Sequence, residues 1–169
     1  MVDNMPSCTG FGFSPDGVVR CAELPNVGGL KHSTGDLAFF ASVRQAVRSR
    51  PDFRTFVGPE ELLAAAVRMG AHGGVNGGAK FAPALFVRLF EAARGEDDAE
   101  VARLQSLVER IGATVYGGAA SPSRVVLGVR AAVRSIGIGH GWMLEPWTRV
   151  SLDLEVIEHT LRQIQGQLG

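Results

Sequence analysis

The chain has 169 residues, enough for one domain with a real hydrophobic core. Its 17 basic and 17 acidic residues cancel, so it lacks the basic excess of nucleic-acid and membrane-surface proteins. No apolar run approaches the roughly 18 residues that span a bilayer, and Met1-Val2-Asp3-Asn4-Met5-Pro6 lacks a signal peptide's basic region and apolar stretch, which makes the cytoplasm the default compartment.

Residues 1–12 read as a loop by their Pro and Gly content. Ser14-Pro15 then predicts a helix start, with Ser14 as N-cap and Pro15 in the first turn. Val18, Val19, Ala22 and Leu24 supply its apolar stripe, and Pro25-Asn26 ends it. Val27 to Leu30 is the first strand. Ser33 or Thr34 is expected to cap the next helix, from about Asp36 to Arg48, with Leu37, Phe40, Val43 and Val47 on one face. Phe53 to Val57, aromatic and β-branched, is a second strand. A helix follows from Glu60-Glu61, with Leu62, Leu63, Ala66, Val67 and Met69 apolar. Gly70 to Asn76 holds a third, very short strand.

The order to this point alternates helix and strand, which implies parallel strands joined by right-handed crossovers. After Gly77-Gly78 the chain turns all-helical. Helices are expected over 81–94, 97–116, 121–136 (started by Ser121-Pro122-Ser123) and 152–165 (capped by Ser151). A link holding Trp142, Pro146 and Trp147 joins the last two, and the tryptophans are expected to pin it. Three parallel strands cannot close a (β/α)8 barrel, which takes eight strands and typically about 250 residues. They also leave two sheet edges unpaired, which proteins usually cover.

In α/β folds the reacting groups gather at the C-terminal ends of the strands. The three ends carry Lys31-His32-Ser33-Thr34, Gly58-Pro59-Glu60 and Val75-Asn76-Gly77-Gly78. A lysine ending an apolar strand has two readings. Its stem leads the charge out to water, or burial strips the proton and leaves an amine that attacks carbonyls. The pattern alone leaves both open. The glycines of His72-Gly73-Gly74-Val75-Asn76-Gly77-Gly78 match neither a dinucleotide fingerprint nor a P-loop, so packing explains them better than a phosphate cradle. His32, His72, His140 and His159 are scattered, no pair has metal-ligand spacing, and two cysteines (Cys8, Cys21) make neither a metal site nor a disulfide framework. Asp97, Asp98, Glu100, Glu60 and Glu61 stand where helix N-termini favour acids. No Ser-His-Asp triad can be assembled.

Gly28-Gly29-Leu30-Lys31-His32-Ser33-Thr34-Gly35-Asp36 resembles the Gly-x-Lys-(x)-Ser-Ser/Thr-Gly-Asp segment of the dihydrodipicolinate synthase / N-acetylneuraminate lyase family. Three more segments agree in order. Asn4-Met5-Pro6 with Thr9-Gly10 is similar to that family's Tyr-Asn-x-Pro-x-x-Thr-Gly loop. Phe56-Val57-Gly58 with Glu60 resembles its seventh-strand end, and Gly70 to Ala79 its eighth-strand end. The late helices are similar to its C-terminal helical extension.

The resemblance implies part of a TIM (β/α)8 barrel, about strands 6 to 8, over residues 1–94, and a C-terminal helical extension over 95–169. It implies a class I lyase or aldolase. Lys31 would form a Schiff base with pyruvate or another 2-oxo acid, and the imine would act as an electron sink while a C–C bond is made or cleaved. Val75 would offer backbone contact to the bound acid. No cofactor, metal, nucleic acid or membrane is expected. The partner expected besides substrate is a further copy in a homo-oligomer, or an N-terminal half-barrel missing here. The resemblance begins at the end of the family's fifth strand, so strands one to four are absent.

Three positions depart from the family pattern. Asp3 stands at the proton-relaying tyrosine, and a short carboxylate cannot simply replace a phenol of pKa near 10. Cys8 stands at a carboxylate-binding arginine, and Lys80 at a common asparagine. The alternative is an inactive family remnant or an interaction module that pairs through its sheet edges.

Overall fold

The computed structural model describes residues 1–117, 122–142, 145 and 152–168. Among the described residues the sheet has four parallel strands in the order β1 (Val2–Asn4), β2 (Gly29–His32), β3 (Arg54–Val57) and β4 (Gly73–Gly74). The crossovers carry helices, as the alternation predicts: α1 (Pro6–Thr9) and α2 (Pro15–Ala22), then α3 (Leu37–Ala46), then α4 (Leu63–Arg68). Helices α5 (Pro83–Arg94), α6 (Asp98–Thr114), α7 (Pro122–Ser135) and α8 (Leu154–Leu168) follow. Among the described residues no helix is long and apolar enough to cross a membrane.

The first twelve residues are not the loop expected. Val2–Asn4 is a strand, and its pairs Val2↔Leu30, Asp3↔Lys31 and Asn4↔His32 run along β2. Three residues show no periodicity of their own, so the edge of β2 creates this strand. Pro6 opens a helical turn in its allowed first position, and Gly10 closes it in the left-handed region at φ 70°.

Strand β2 lies two residues beyond the Val27–Leu30 expected. Val27 donates its N–H to Leu24 O in a turn, at 3.1 Å. The ladder then continues through the polar Lys31 and His32, because parallel pairing satisfies their backbone groups on both sides. The start of β2 demands glycine. A Cβ on Gly29 would lie 2.4 Å from Arg54 O, so a side chain there would push β2 off β3.

Side-chain caps start α2, α3 and α6. Ser14 Oγ accepts from Gly17 N at 3.1 Å and Pro15 sits in the first turn, as the sequence implies. Leu24 lies past the end of α2 and is exposed rather than part of its stripe. For α3 the cap is Asp36, not Ser33 or Thr34; its Oδ1 accepts from Phe39 N at 2.8 Å. Replacing Asp36 with Ala should lower stability by about 1 kcal/mol, read as a lower urea midpoint at unchanged slope. Asp97 Oδ1 caps the start of α6 through Glu100 N at 3.0 Å. Ser121 at the expected helix start and the expected cap Ser151, with Pro146 and Trp147, lie outside the described residues. Trp142 does not pin its link: it is 82% exposed.

The chain divides into two compact units, residues Met1–Asn76 with Leu89–Val101, and Gly77–Arg88 with Ala102–Gly169. In the first, helices α2 and α3 cover one face of the sheet. Val18, Ala22, Leu30, Val43, Val47 and Phe53 form the core, with Val2, Phe13, Val19, Val27 and Phe39 packed against it. Arg50 bridges this region: it donates to the Ala22 carbonyl and pairs with Asp52 at 2.8 Å. The Arg50 hydrogen bond is the main reason that the Asp52 carboxyl is pulled down to about 2. In the second unit α6 buries Leu104, Leu107, Val108 and Ile111, while α7 packs on α8. Ile157, Leu161, Ile164 and Leu168 form the buried stripe of α8.

Candidate active site

A strand turns successive side chains to opposite faces, so the pairing register decides which groups meet. Here it aligns Asp3, Lys31, Phe56 and Gly73 in one row across all four strands. The flanking positions Leu30, His32, Thr55 and Val57 are buried on the helix-covered face. The row between them therefore projects from the other face. That is where Lys31 stands, as the third residue of β2 rather than its final one.

Lys31 does not run out to water. Its Nζ donates to Asp3 Oδ2 at 2.9 Å, with the side chains 19% and 43% exposed. Ser33 Oγ donates to the other carboxylate oxygen, Asp3 Oδ1, at 2.7 Å. Ser33 N also donates to Asn4 O at 3.0 Å, which ties the end of β1 to the residue beyond β2. Gly58 leaves room for this: a Cβ there would lie 2.9 Å from Ser33 Oγ and 3.1 Å from Ser33 Cα.

A second polar network lies behind the row. Asn4 Oδ1 accepts from Phe13 N at 3.0 Å, so Asn4 Nδ2 faces His32 Nδ1 at 3.3 Å. That nitrogen must accept, which puts the ring proton on Nε2. From there it reaches Asp36 O at 3.0 Å and Thr34 Oγ1 at 2.8 Å. The ring stacks on Phe39 at 4.7 Å between centroids and is 1% exposed. His32 thus locks the strand end carrying Asp3 and Asn4 to the start of α3.

Burial pushes the His32 pKa below its usual 6.5, against the opposing pull of Asp36 and Asp3. Protonation would also turn Nδ1 into a donor facing the Asn4 donor. The unfolded chain therefore binds this proton more readily than the folded one. The stability carried by neutral His32 is complete above about 6.5 and declines as pH falls through the folded value. The unfolding free energy from urea titrations between pH 7.5 and 5 should fall more steeply for the native chain than for His32→Leu, by at most about 1.4 kcal/mol per pH unit. His72, lowered by burial and then by Arg44 and Arg54, adds to the slope of both proteins.

The other strand ends are stitched to the first. Gly58 N donates to His32 O at 2.7 Å, and Asn76 Nδ2 to Gly58 O at 2.9 Å. Val75 directly follows β4 and is 47% exposed, with its N–H given to Val57 O at 2.9 Å. Glu60 is buried in a helical turn beside Gly58-Pro59. His72 serves the sheet: its Nδ1 accepts from Thr55 N at 3.0 Å. Cys8 is exposed on α1. Among the described residues no three His, Cys, Asp or Glu side chains come together as a metal site.

Sequence reasoning singled out Lys31 but read Asp3 as a defect and missed the Ser33 anchor. Asp3 lies 28 residues before Lys31, and only the register joins them. The signal available was the period of two: once Asn4 is set beside His32, Asp3 must face Lys31.

The model of the Dihydrodipicolinate synthetase family matches residues 1–164. The chain is 32% identical over 130 residues to the N-acetylneuraminate lyase of Rhizobium meliloti, a match covering 76% of this chain and 42% of that protein. It is 30% identical over 103 residues to the 4-hydroxy-tetrahydrodipicolinate synthase of Methanospirillum hungatei, covering 61% of this chain and 35% of that protein. The solved dihydrodipicolinate synthase of Bacteroides thetaiotaomicron superimposes with a TM-score of 0.83 at 38% identity, over 95% of this chain and 54% of that one. The chain thus spans about half the length of the relatives it matches, or less. With four ordered strand-end motifs, a parallel sheet that superimposes on a relative, and a family model matched from residue 1 to 164, the chain belongs to the dihydrodipicolinate synthetase family.

Proposed function

We propose that the chain carries the Schiff-base half of a lyase or aldolase, with Lys31 as the nucleophile toward pyruvate or another 2-oxo acid. One observation carries this reading: the Lys31 amine projects from the sheet face opposite the helices, with a carboxylate at 2.9 Å to exchange protons with it. An amine so held can add to a ketone carbon and lose water to leave an imine. The imine withdraws electrons from the bond beyond the neighbouring carbon, which is then cleaved or, in reverse, formed. Val75 is assigned the backbone contact to the bound acid. Its N–H is spent on Val57, which leaves its carbonyl oxygen, a group that accepts from an imine N–H or a substrate hydroxyl and not from the carboxylate.

The four strands are read as part of a (β/α)8 barrel, with β2 to β4 as about strands 6 to 8 within residues 1–94, and 95–169 as the helical extension. Among the described residues β1 and β4 each pair on one side only. Four further parallel strands, from a second copy or from an N-terminal half-barrel, would pair both edges and enclose Lys31. The same unpaired edges favour a second reading, an inactive family remnant or edge-pairing module.

Borohydride reduction with pyruvate separates the two. The active reading expects the mass gain of a reduced pyruvate imine on the peptide containing Lys31. An unchanged Lys31 peptide sinks it and leaves the module.

A further inference from the structure

We propose that Asp3 is the proton-transfer residue of the Lys31 site and that Ser33 orients it. The inference rests on the Schiff-base reading of Lys31 and adds the group that moves the protons. An activated nucleophile is recognised by a base within hydrogen-bond reach and a third group that holds the base. All three parts are present: Lys31 Nζ at 2.9 Å from Asp3 Oδ2, and Ser33 Oγ at 2.7 Å from Asp3 Oδ1. The two carboxylate oxygens have different partners, so the group cannot swing without breaking a bond. Ser33 is itself held by its N–H on Asn4 O and by the close approach of Gly58. Asp3 and Lys31 are also register partners, which fixes their backbones relative to one another.

The geometry also answers the length objection. A carboxylate is shorter than a phenol, but β1 pairs directly with β2, so Asp3 needs no reach to meet Nζ. At 43% exposure its side chain is open to an incoming ketone as well.

Asp3 Oδ2 takes a proton from Nζ, which frees the nitrogen lone pair. Nζ adds to the ketone carbon, the C–N bond forms, and the carbonyl π pair moves onto oxygen. Asp3 returns its proton to that oxygen and takes a second from nitrogen. It then delivers the second proton to the hydroxyl, the C–O bond breaks, and water leaves. The nitrogen lone pair closes the C=N bond, and the product is the iminium with one proton on nitrogen. Asp3 ends as the carboxylate it began as, and no oxidant or further reactant is consumed.

The test is the initial rate of pyruvate labelling of Lys31 under borohydride, followed by mass, with far-UV circular dichroism verifying the fold of each variant. Asp3→Asn should slow labelling by about 100-fold or more, in the range expected for a lost general acid–base. Ser33→Ala keeps the carboxylate and should slow it by about 5-fold, the value of one hydrogen bond. Asp3→Ala should regain rate on addition of formate or acetate, which a merely structural role would not give. Native-rate labelling of Asp3→Asn, or an Asp3→Ala variant that added carboxylate does not accelerate, overturns the role of Asp3 and leaves the Lys31 reading standing. Unchanged labelling of Ser33→Ala overturns the orienting role. Absence of labelling in the native chain overturns both this inference and the Schiff-base reading.

Discussion

Lys31→Arg should lose the pyruvate-dependent mass gain under borohydride completely while the fold persists. Arginine keeps a positive charge beside Asp3, so this substitution separates the charge of Lys31 from its nucleophilicity. A guanidinium cannot be deprotonated in a protein and does not add to a ketone. Lys31→Met removes the charge as well and should be equally inert toward pyruvate. Neither change should move stability by more than about 1 kcal/mol, because the pair is partly exposed and such pairs are worth little net. Intact-mass measurement after reduction reads the first effect, and urea unfolding reads the second. Labelling of Lys31→Arg to the native extent would show that another amine carries the adduct, and would remove Lys31 from the proposed chemistry.

Leu30→Ala, one residue away, should do the opposite: it costs stability and spares the groups of the site. Leu30 is fully buried, with Val18, Val43, Val47 and Phe53 around it. Removing such a side chain loses its transfer free energy and leaves a cavity, together about 2–5 kcal/mol. That is a large share of what a domain of this size holds in reserve. The urea midpoint should fall accordingly. Val156→Ala on α8, where the side chain is 46% exposed, should change stability by less than about 0.5 kcal/mol. A small effect at Leu30 would mean that the core between the sheet and α2–α3 is not what holds β2.

These two neighbours explain why the fold was legible and the site only half so. In β2 the buried positions are apolar except for His32, and helices α2 and α3 bear apolar stripes with side-chain caps at their starts. Hydrophobic periodicity and turn chemistry are local, so a reader meets them within a dozen residues. Strand β1 escaped because three residues have no readable period and owe their conformation to the edge of β2. The cap falls on Asp36 rather than on Ser33 or Thr34 for a related reason. Both residues are good caps in general, but Ser33 is engaged with Asp3 and Thr34 with the His32 ring, which leaves Asp36 to start α3.

By itself the sequence determined the alternating α/β order, the all-helical second half, the family, and Lys31 as the residue to watch. Each rests on spacing along the chain. The tertiary structure alone decided what Lys31 touches. Residues 28 positions apart meet only through a register of parallel strands, and a shift of one residue would have turned Asp3 to the buried face. That register converts an apparent substitution at Asp3 into a carboxylate held between an amine and a hydroxyl.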